Sequence, residues 1–293
     1  MIFGEVLFDV FPDGARVLGG APFNVAWHLA GFGLRPLFVS RIGEDALGAE
    51  VLSGMRDWGM DTRGVQIDAG HPTGTVRVSV QRGQPAFEIL PDQAYDFIDA
   101  AACTVLAAAS STLLYHGTLA ARSPVSHRAL QSLRAVGLPI FVDINLRPPW
   151  WSRDGVDAAL RGARWAKLND SELTSLLDRN AAGAGSLHVM AKELRAHYGL
   201  EWIVVTRGER GACLLGAEGL IEAQPVDVAG IVDTVGAGDA FSAVLILGLH
   251  RGWPLSMTLP RAVEFAAAVC RIRGAVSRDR DVYQTHLQRW KPA

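Results

Sequence analysis

The strongest constraint on this chain is an alternation between two kinds of apolar pattern. Short apolar runs, bounded by polar or glycine-rich turns, take turns with longer stretches whose apolar residues recur at helical spacing. The runs Ile2–Phe8, Leu37–Ser40, Thr112–His116, Ile140–Ile144, Trp165–Leu168 and Trp202–Thr206 read as buried strands. Between them the spacing predicts helices over Phe23–Phe32, Ala46–Trp58, Ala100–Ala109, Pro124–Val136, Leu187–His197, Ala240–His250 and Pro260–Ile272. Strand–helix alternation of this kind implies a mostly parallel sheet with helices on both faces. In such a sheet ligands bind beyond the carboxyl ends of the strands.

One segment departs from that rhythm. Thr75–Gln81 alternates at period two, and after Arg82-Gly83-Gln84-Pro85 a second short run follows at Ala86–Leu90. This pattern predicts a hairpin with one wet face, suited to a lid, a dimer surface or an edge without a role. The stretch Ala181–Ser186 is the most linker-like part of the chain, and it is too short to separate domains.

Composition narrows the function. The 293 residues carry a net charge of -2, with 49% hydrophobic residues, which speaks against a nucleic-acid or anionic-membrane binder and against disorder. Lys167, Lys192 and Lys291 are the three lysines, and none follows a glycine, so there is no G-K-[ST] phosphate loop. H-E-x-x-H, G-x-S-x-G and G-x-G-x-x-G are also absent, which removes the main support for zincin, hydrolase and dinucleotide-binding readings. Cys103, Cys213 and Cys270 are far apart and fit a reducing cytosol better than a disulfide framework. The N-terminal run contains Glu5 and Asp9 and does not read as a signal peptide, and no window reads as a membrane span.

The most informative segment is Ile231–Ser242, where an apolar strand end meets Gly236-Ala237-Gly238-Asp239 and a long apolar helix begins. Glycines let the backbone turn sharply and approach a ligand, and the free N–H groups of a helix start make an anion site. Asp239 then reads either as an ordinary helix cap or as a carboxylate that accepts a proton from an attacking hydroxyl. Gly19-Gly20-Ala21-Pro22-Phe23-Asn24 opens a second helix, with Asn24 expected to face outward and Asp9 expected to close the first strand. Asp143, Asn145 and Arg147 alternate after Ile140–Val142 and are expected on one side of an extended segment. Asn169 and Glu172 read as neighbours near a metal-phosphate, or as a plain helix start. Thr206–Gly211 is a glycine-containing turn, or only a hairpin into Ala212–Leu215.

Taken together, Gly19-Gly20 with Asn24, the turns Gly43–Gly48 and Gly59–Thr62, Asn169–Glu172, and above all Asp233-Thr234-Val235-Gly236-Ala237-Gly238-Asp239 resemble the ribokinase-like (PfkB) carbohydrate kinases over nearly the whole chain. The resemblance implies one three-layer α/β/α domain over residues 1–293, with a mostly parallel central sheet and a small β lid at about 10–18 and 73–91. It implies Asp239 as the base, with the N–H groups of Gly236, Ala237 and Gly238 as the anion hole. Asp9, Gly19, Gly20, Asn24 and Arg147 are implied for the sugar. Asn145, Lys167, Asn169, Glu172, Thr206, Gly208 and Gly211 are implied for ATP, with Glu172 organising Mg²⁺ through water. Asp233, with backbone near Val235 and Gly274, is implied for a monovalent cation such as K⁺.

Within the family, Phe3–Asp9, Gly19–Asn24 and Tyr115-His116-Gly117-Thr118-Leu119 look most like fructokinases. The resemblance therefore implies fructose phosphorylation at its primary hydroxyl. A 2-keto-3-deoxygluconate, ribose or nucleoside kinase, or a non-catalytic sugar-binding regulator, is the alternative. A cytoplasmic protein that dimerises through the lid and binds neither nucleic acid nor membrane completes the expectation.

Overall fold

In the computed structural model the described residues are 1–81, 84–107, 112–177, 187–226 and 230–291. The linker-like stretch 181–186 and the last two positions of the helix expected over Ala100–Ala109 lie outside them. The chain divides into two compact units, Met1–Ser111 with Ala120–Gly137, and Thr112–Leu119 with Leu138–Ala293.

The first unit begins with β1 (Ile2–Phe3), β2 (Leu7–Val10), β3 (Arg16–Gly19) and α1 (Ala21–Gly31). It continues with β4 (Phe38–Gly43), α2 (Ala46–Trp58) and β5 (Val65–Asp68). β6 (Gly74–Gln81), β7 (Gln84–Ile89), α3 (Ala100–Ala107) and α4 (Pro124–Arg134) complete it. The expected single strand Ile2–Phe8 is two strands in two sheets. β1 runs parallel to β4, the chain turns at Gly4, and β2 then joins β3 antiparallel and β6 parallel. Apolar content alone does not reveal such a change of sheet, because both halves are buried. The expected hairpin is present as the antiparallel pair β6–β7, which completes a four-stranded sheet in the order β3-β2-β6-β7.

Helix α1 is buried on nearly every face from Pro22 to Gly31, as an all-round apolar helix must be. Trp27 on α1 stacks on Trp58 of α2 with ring centroids 4.9 Å apart, and the Trp58 indole N–H donates to the Trp27 carbonyl at 3.0 Å. That contact fixes the middle of α1 against α2.

The second unit holds β8 (Leu114–His116), β9 (Ile140–Asp143), α5 (Arg153–Leu160), β10 (Trp165–Asn169), α6 (Asp170–Leu176), α7 (Leu187–Tyr198) and β11 (Trp202–Thr206). β12 (Ala212–Gly216), β13 (Gly219–Ala223), α8 (Ala237–Arg251), α9 (Leu255–Val269) and α10 (Arg280–Arg289) follow. β8, β9, β10 and β11 are parallel neighbours, and β12 and β13 extend the sheet antiparallel. Every residue of Trp202–Val205 is buried, and successive strand residues point to opposite faces, so both faces of β11 are covered.

Two boundaries differ from expectation for physical reasons. Helix α9 starts at Leu255, and Pro260 lies inside it. Pro254 occupies the cap and its carbonyl accepts from Met257 and Thr258 N–H, so the helix opens before the second proline. Helix α8 starts at Ala237, which places Asp239 third in its first turn.

Candidate active site

The turn into α8 is built by the residues the sequence singles out. Gly236 caps the helix in the left-handed region, φ 79°, with no side chain bonded to the helix start. A Cβ at Gly236 would lie 2.5 Å from the Ala275 Cα and 2.7 Å from its carbonyl oxygen, so only glycine fits. The first helical bond runs from Ala240 N–H to the Gly236 carbonyl at 2.8 Å. The N–H groups of residues 236–239 therefore precede the ladder, that of Ala237 reaching the Thr234 carbonyl at 3.4 Å. Asp239 is half-buried in that first turn.

The loop ahead of the turn is pinned by Asp233. Its Oδ1 accepts from Val235 N–H at 3.0 Å and its Oδ2 from Gly274 N–H at 3.1 Å. The three positions named for a monovalent cation are thus brought together, although the carboxylate serves backbone N–H groups in doing so.

Beside the turn lies a cavity of about 730 Å³, within the size range of small-ligand sites. Thr206, Gly208 and Gly211 line it together with Thr234, Ala237 and Gly238 of the turn. Phe241 and Val263 are among its apolar walls. A flat base between apolar side chains with its phosphates at a helix N-terminus fits this shape, so the residues present suit ATP. Thr206–Gly211 is the turn of an antiparallel hairpin between β11 and β12, the hairpin into Ala212–Leu215 that the sequence offered, and it faces this cavity.

Asn169 and Glu172 do meet, and they do so as a reciprocal helix cap. Asn169 Oδ1 accepts from Glu172 N–H and Glu172 Oε2 accepts from Asn169 N–H, each at 2.8 Å. Glu172 Oε1 also accepts from Leu146 N–H at 2.8 Å. Burial raises the Glu172 pKa, and the backbone donors only partly offset it. Among the described residues no group of three or more His, Cys, Asp or Glu stands ready to hold a metal directly.

The alternation expected of Asp143, Asn145 and Arg147 is broken. Asn145 takes a left-handed φ of 42°, so the segment stops being extended there. Asp143 turns into the interior, 1% exposed, while Arg147 lies at the surface. Asp143 gathers three donors: Lys167 Nζ at 2.9 and 3.1 Å, Ser242 Oγ at 2.7 Å and Tyr115 OH at 3.2 Å. In the sequence Asp143 stands out only as part of an alternation, and nothing there joins it to Tyr115 or Ser242. The donors come from three other elements, so no local spacing reports them. Lys167 is itself 7% exposed. Burial would lower its pKa, but the Asp143 carboxylate reverses this and the net direction is upward. Burial, then Asp143 and Asp239, push the Tyr115 phenol well above its ordinary value.

In the first unit, Asp9, Gly19, Gly20 and Asn24 come together. A Cβ at Gly19 would lie 3.9 Å from Asn24 Oδ1 and 4.0 Å from Asp9 Oδ2, so both polar groups converge on that glycine. At Gly20, φ 109°, a side chain would strike the Glu5 carbonyl at 2.7 Å. Two placements are corrected. Asp9 sits inside β2, opposite Val17 and Val76, and not at the end of a strand of the parallel sheet. Asn24 does not face outward: it is 4% exposed, because α1 is buried around its whole circumference.

Comparison with known proteins agrees with this geometry. Residues 11–280 match the pfkB family of carbohydrate kinases. A fructokinase of Klebsiella pneumoniae is 31% identical over 263 residues, covering 85% of this chain and 83% of that protein. A 5-dehydro-2-deoxygluconokinase of Geobacillus thermodenitrificans is 27% identical, covering 88% of this chain and 78% of that protein. Among solved structures, Vibrio cholerae fructokinase with fructose, ADP and calcium bound superposes with a TM-score of 0.80 at 25% identity, covering 97% of each chain. The fold is ribokinase-like, and the chain belongs to the pfkB family of carbohydrate kinases. It is an ATP-dependent sugar kinase. No helix among the described residues is long and apolar enough to cross a membrane.

Proposed function

We propose that this kinase transfers the γ-phosphoryl group of ATP to the primary hydroxyl at C6 of fructose, giving fructose 6-phosphate and ADP. The observation that carries the reading is the turn Gly236–Asp239: a helix start without a side-chain cap, closed to any residue but glycine at 236, with a carboxylate in its first turn. Asp239 accepts the hydroxyl proton as the sugar oxygen bonds to phosphorus and the bond to the ADP oxygen breaks. N–H groups of Gly236, Ala237 and Gly238 stabilise the charge on the transferring group. Thr206, Gly208 and Gly211 hold the nucleotide, and Asn145 and Lys167 lie toward its phosphates. Asn169 and Glu172 would hold Mg²⁺ through water, and the metal would supply positive charge to the phosphates. Asp9, Gly19, Gly20, Asn24 and Arg147 bind sugar hydroxyls, and Asp233 marks the monovalent-cation loop. We further propose that the whole chain acts as one kinase domain, that the β3-β2-β6-β7 sheet is its lid and homodimer surface, and that the protein is cytoplasmic. Similarity to the Klebsiella fructokinase supports the substrate.

The test is ADP release by purified protein with Mg-ATP and a panel of fructose, ribose, nucleosides and 2-keto-3-deoxygluconate. We expect fructose to give the highest kcat/KM, and Asp239→Asn to lose about 10²–10⁴-fold in kcat. Full turnover by Asp239→Asn would remove the base role. The Geobacillus relative supports a second reading, a sugar acid, and preference for the acid would move the assignment there. No phosphorylation of any compound would leave a sugar-binding regulator.

A further inference from the structure

The kinase reading takes Lys167 toward the phosphates but does not account for the buried Asp143 cluster that holds it. Asp143 and Lys167 are directly opposite each other on the neighbouring strands β9 and β10. Tyr115 adds a donor from β8, and Ser242 adds one from α8. Ser242 lies three residues beyond Asp239, on the same face of the helix. One carboxylate therefore ties three strands to the first two turns of α8. The ammonium it holds presses against the turn itself: a Cβ at Gly238 would sit 3.1 Å from Lys167 Nζ.

Stability alone is a weak reason for such an arrangement. A buried ion pair can often be replaced by apolar residues without loss of stability, whereas removing one partner strands the other charge. The pair does supply a fixed positive charge at a site built to take an anion. The ammonium interacts with the carboxylates of Asp143, Glu172 and Asp239, and Asp143 compensates its charge directly. Charges act more strongly in a poorly solvated interior than at the surface.

We infer that Lys167, held by Asp143, is a positioning residue for phosphoryl transfer: it fixes the Gly236–Asp239 turn from below and biases it toward the charge of the transferring group. The inference rests on the reading of that turn as the phosphoryl site. Lys167 acts through the turn backbone and does not take part in proton transfer. The residues assigned to the sugar, Arg147 excepted, belong to the first unit, so binding of the sugar is largely independent of the pair.

The test compares Lys167→Met, Asp143→Asn and the double variant in the full chain, with Asp239→Asn alongside. Lys167→Met is expected to lower kcat about 10²-fold, the scale of losing one preorganised stabilising group, with the sugar KM within about threefold. It is also expected to lose stability, because the Asp143 charge is left buried and unpaired. The double variant removes both charges, and the new amide oxygen keeps an acceptor for Ser242 and Tyr115. Its denaturation midpoint should return toward that of the unmodified protein while kcat stays at the Lys167→Met level. A merely structural pair would show the opposite: stability and kcat would recover together, and that result would overturn the inference. Undiminished kcat in Lys167→Met, or a double variant that does not fold, would overturn it as well. If Asp239→Asn turns over normally, the reading of the turn itself fails, and that result is distinguishable from all of these.

Discussion

Gly236 shows how much one residue can carry. Its φ of 79° and the Ala275 backbone 2.5 Å from a Cβ position leave no room for a side chain. A left-handed non-glycine residue costs about 1–2 kcal/mol before any clash is counted. Gly236→Ala is therefore expected to lower thermal stability and to cut kcat by at least tenfold, because relief of the clash displaces the anion turn. A variant with unchanged Tm and kcat would show that the turn tolerates a side chain. The need for glycine here was legible in the motif. The role of Asp143 was not, because its Ser242 donor lies 99 residues away along the chain.

Among the elements, α2 shows the clearest agreement between pattern and structure. Ala46–Trp58 is helical at the boundaries its spacing predicts, with Asp45 as its cap. Asp45 Oδ1 accepts from Gly48 N–H at 2.7 Å and from the Thr73 hydroxyl, and Oδ2 accepts from Thr73 N–H at 2.8 Å, so the cap also anchors the chain entering β6. Burial disfavours the Asp45 carboxylate, but the Thr73 and Gly48 donors outweigh it and its pKa lies below the ordinary value of 3.8. With the folded-state value below the unfolded one, the unfolded chain binds more protons in that window, and stability falls as pH drops through it. Asp45→Ala should cost roughly 1–2 kcal/mol at neutral pH, as a lost cap does. Its stability should also fall less than that of the unmodified chain between pH 5 and pH 3. Denaturant titrations at several pH values check this, and parallel losses in the two proteins would contradict it. The elements that the pattern missed, β3, β5, α5, β13 and α10, are short or half-exposed, so neither period is carried far enough to read.

At the scale of the whole molecule, the small sheet keeps an exposed apolar surface. Phe87 on β7 is 55% exposed, beside a shallow cavity lined by Val10, Phe11 and Val78. Arg77 and Glu88 pair across β6 and β7 at 3.6 Å. If copies of this chain meet through that sheet, the protein elutes as a dimer and Phe87→Glu shifts it to a monomer in light scattering. A monomer at micromolar concentration before substitution would refute the dimer.

The sequence by itself determined the class of the fold and the glycine turn that opens α8, because both depend on local rules. Strand and helix periods repeat over a few residues, and a glycine turn opening a helix is a contiguous motif. The tertiary structure alone decided that Ile2–Phe8 divides between two sheets, that Asn24 is enclosed, and that Lys167 points at Asp143 beneath Gly238. Those outcomes follow from which faces meet, and a buried charge finds its partner across space and not along the chain.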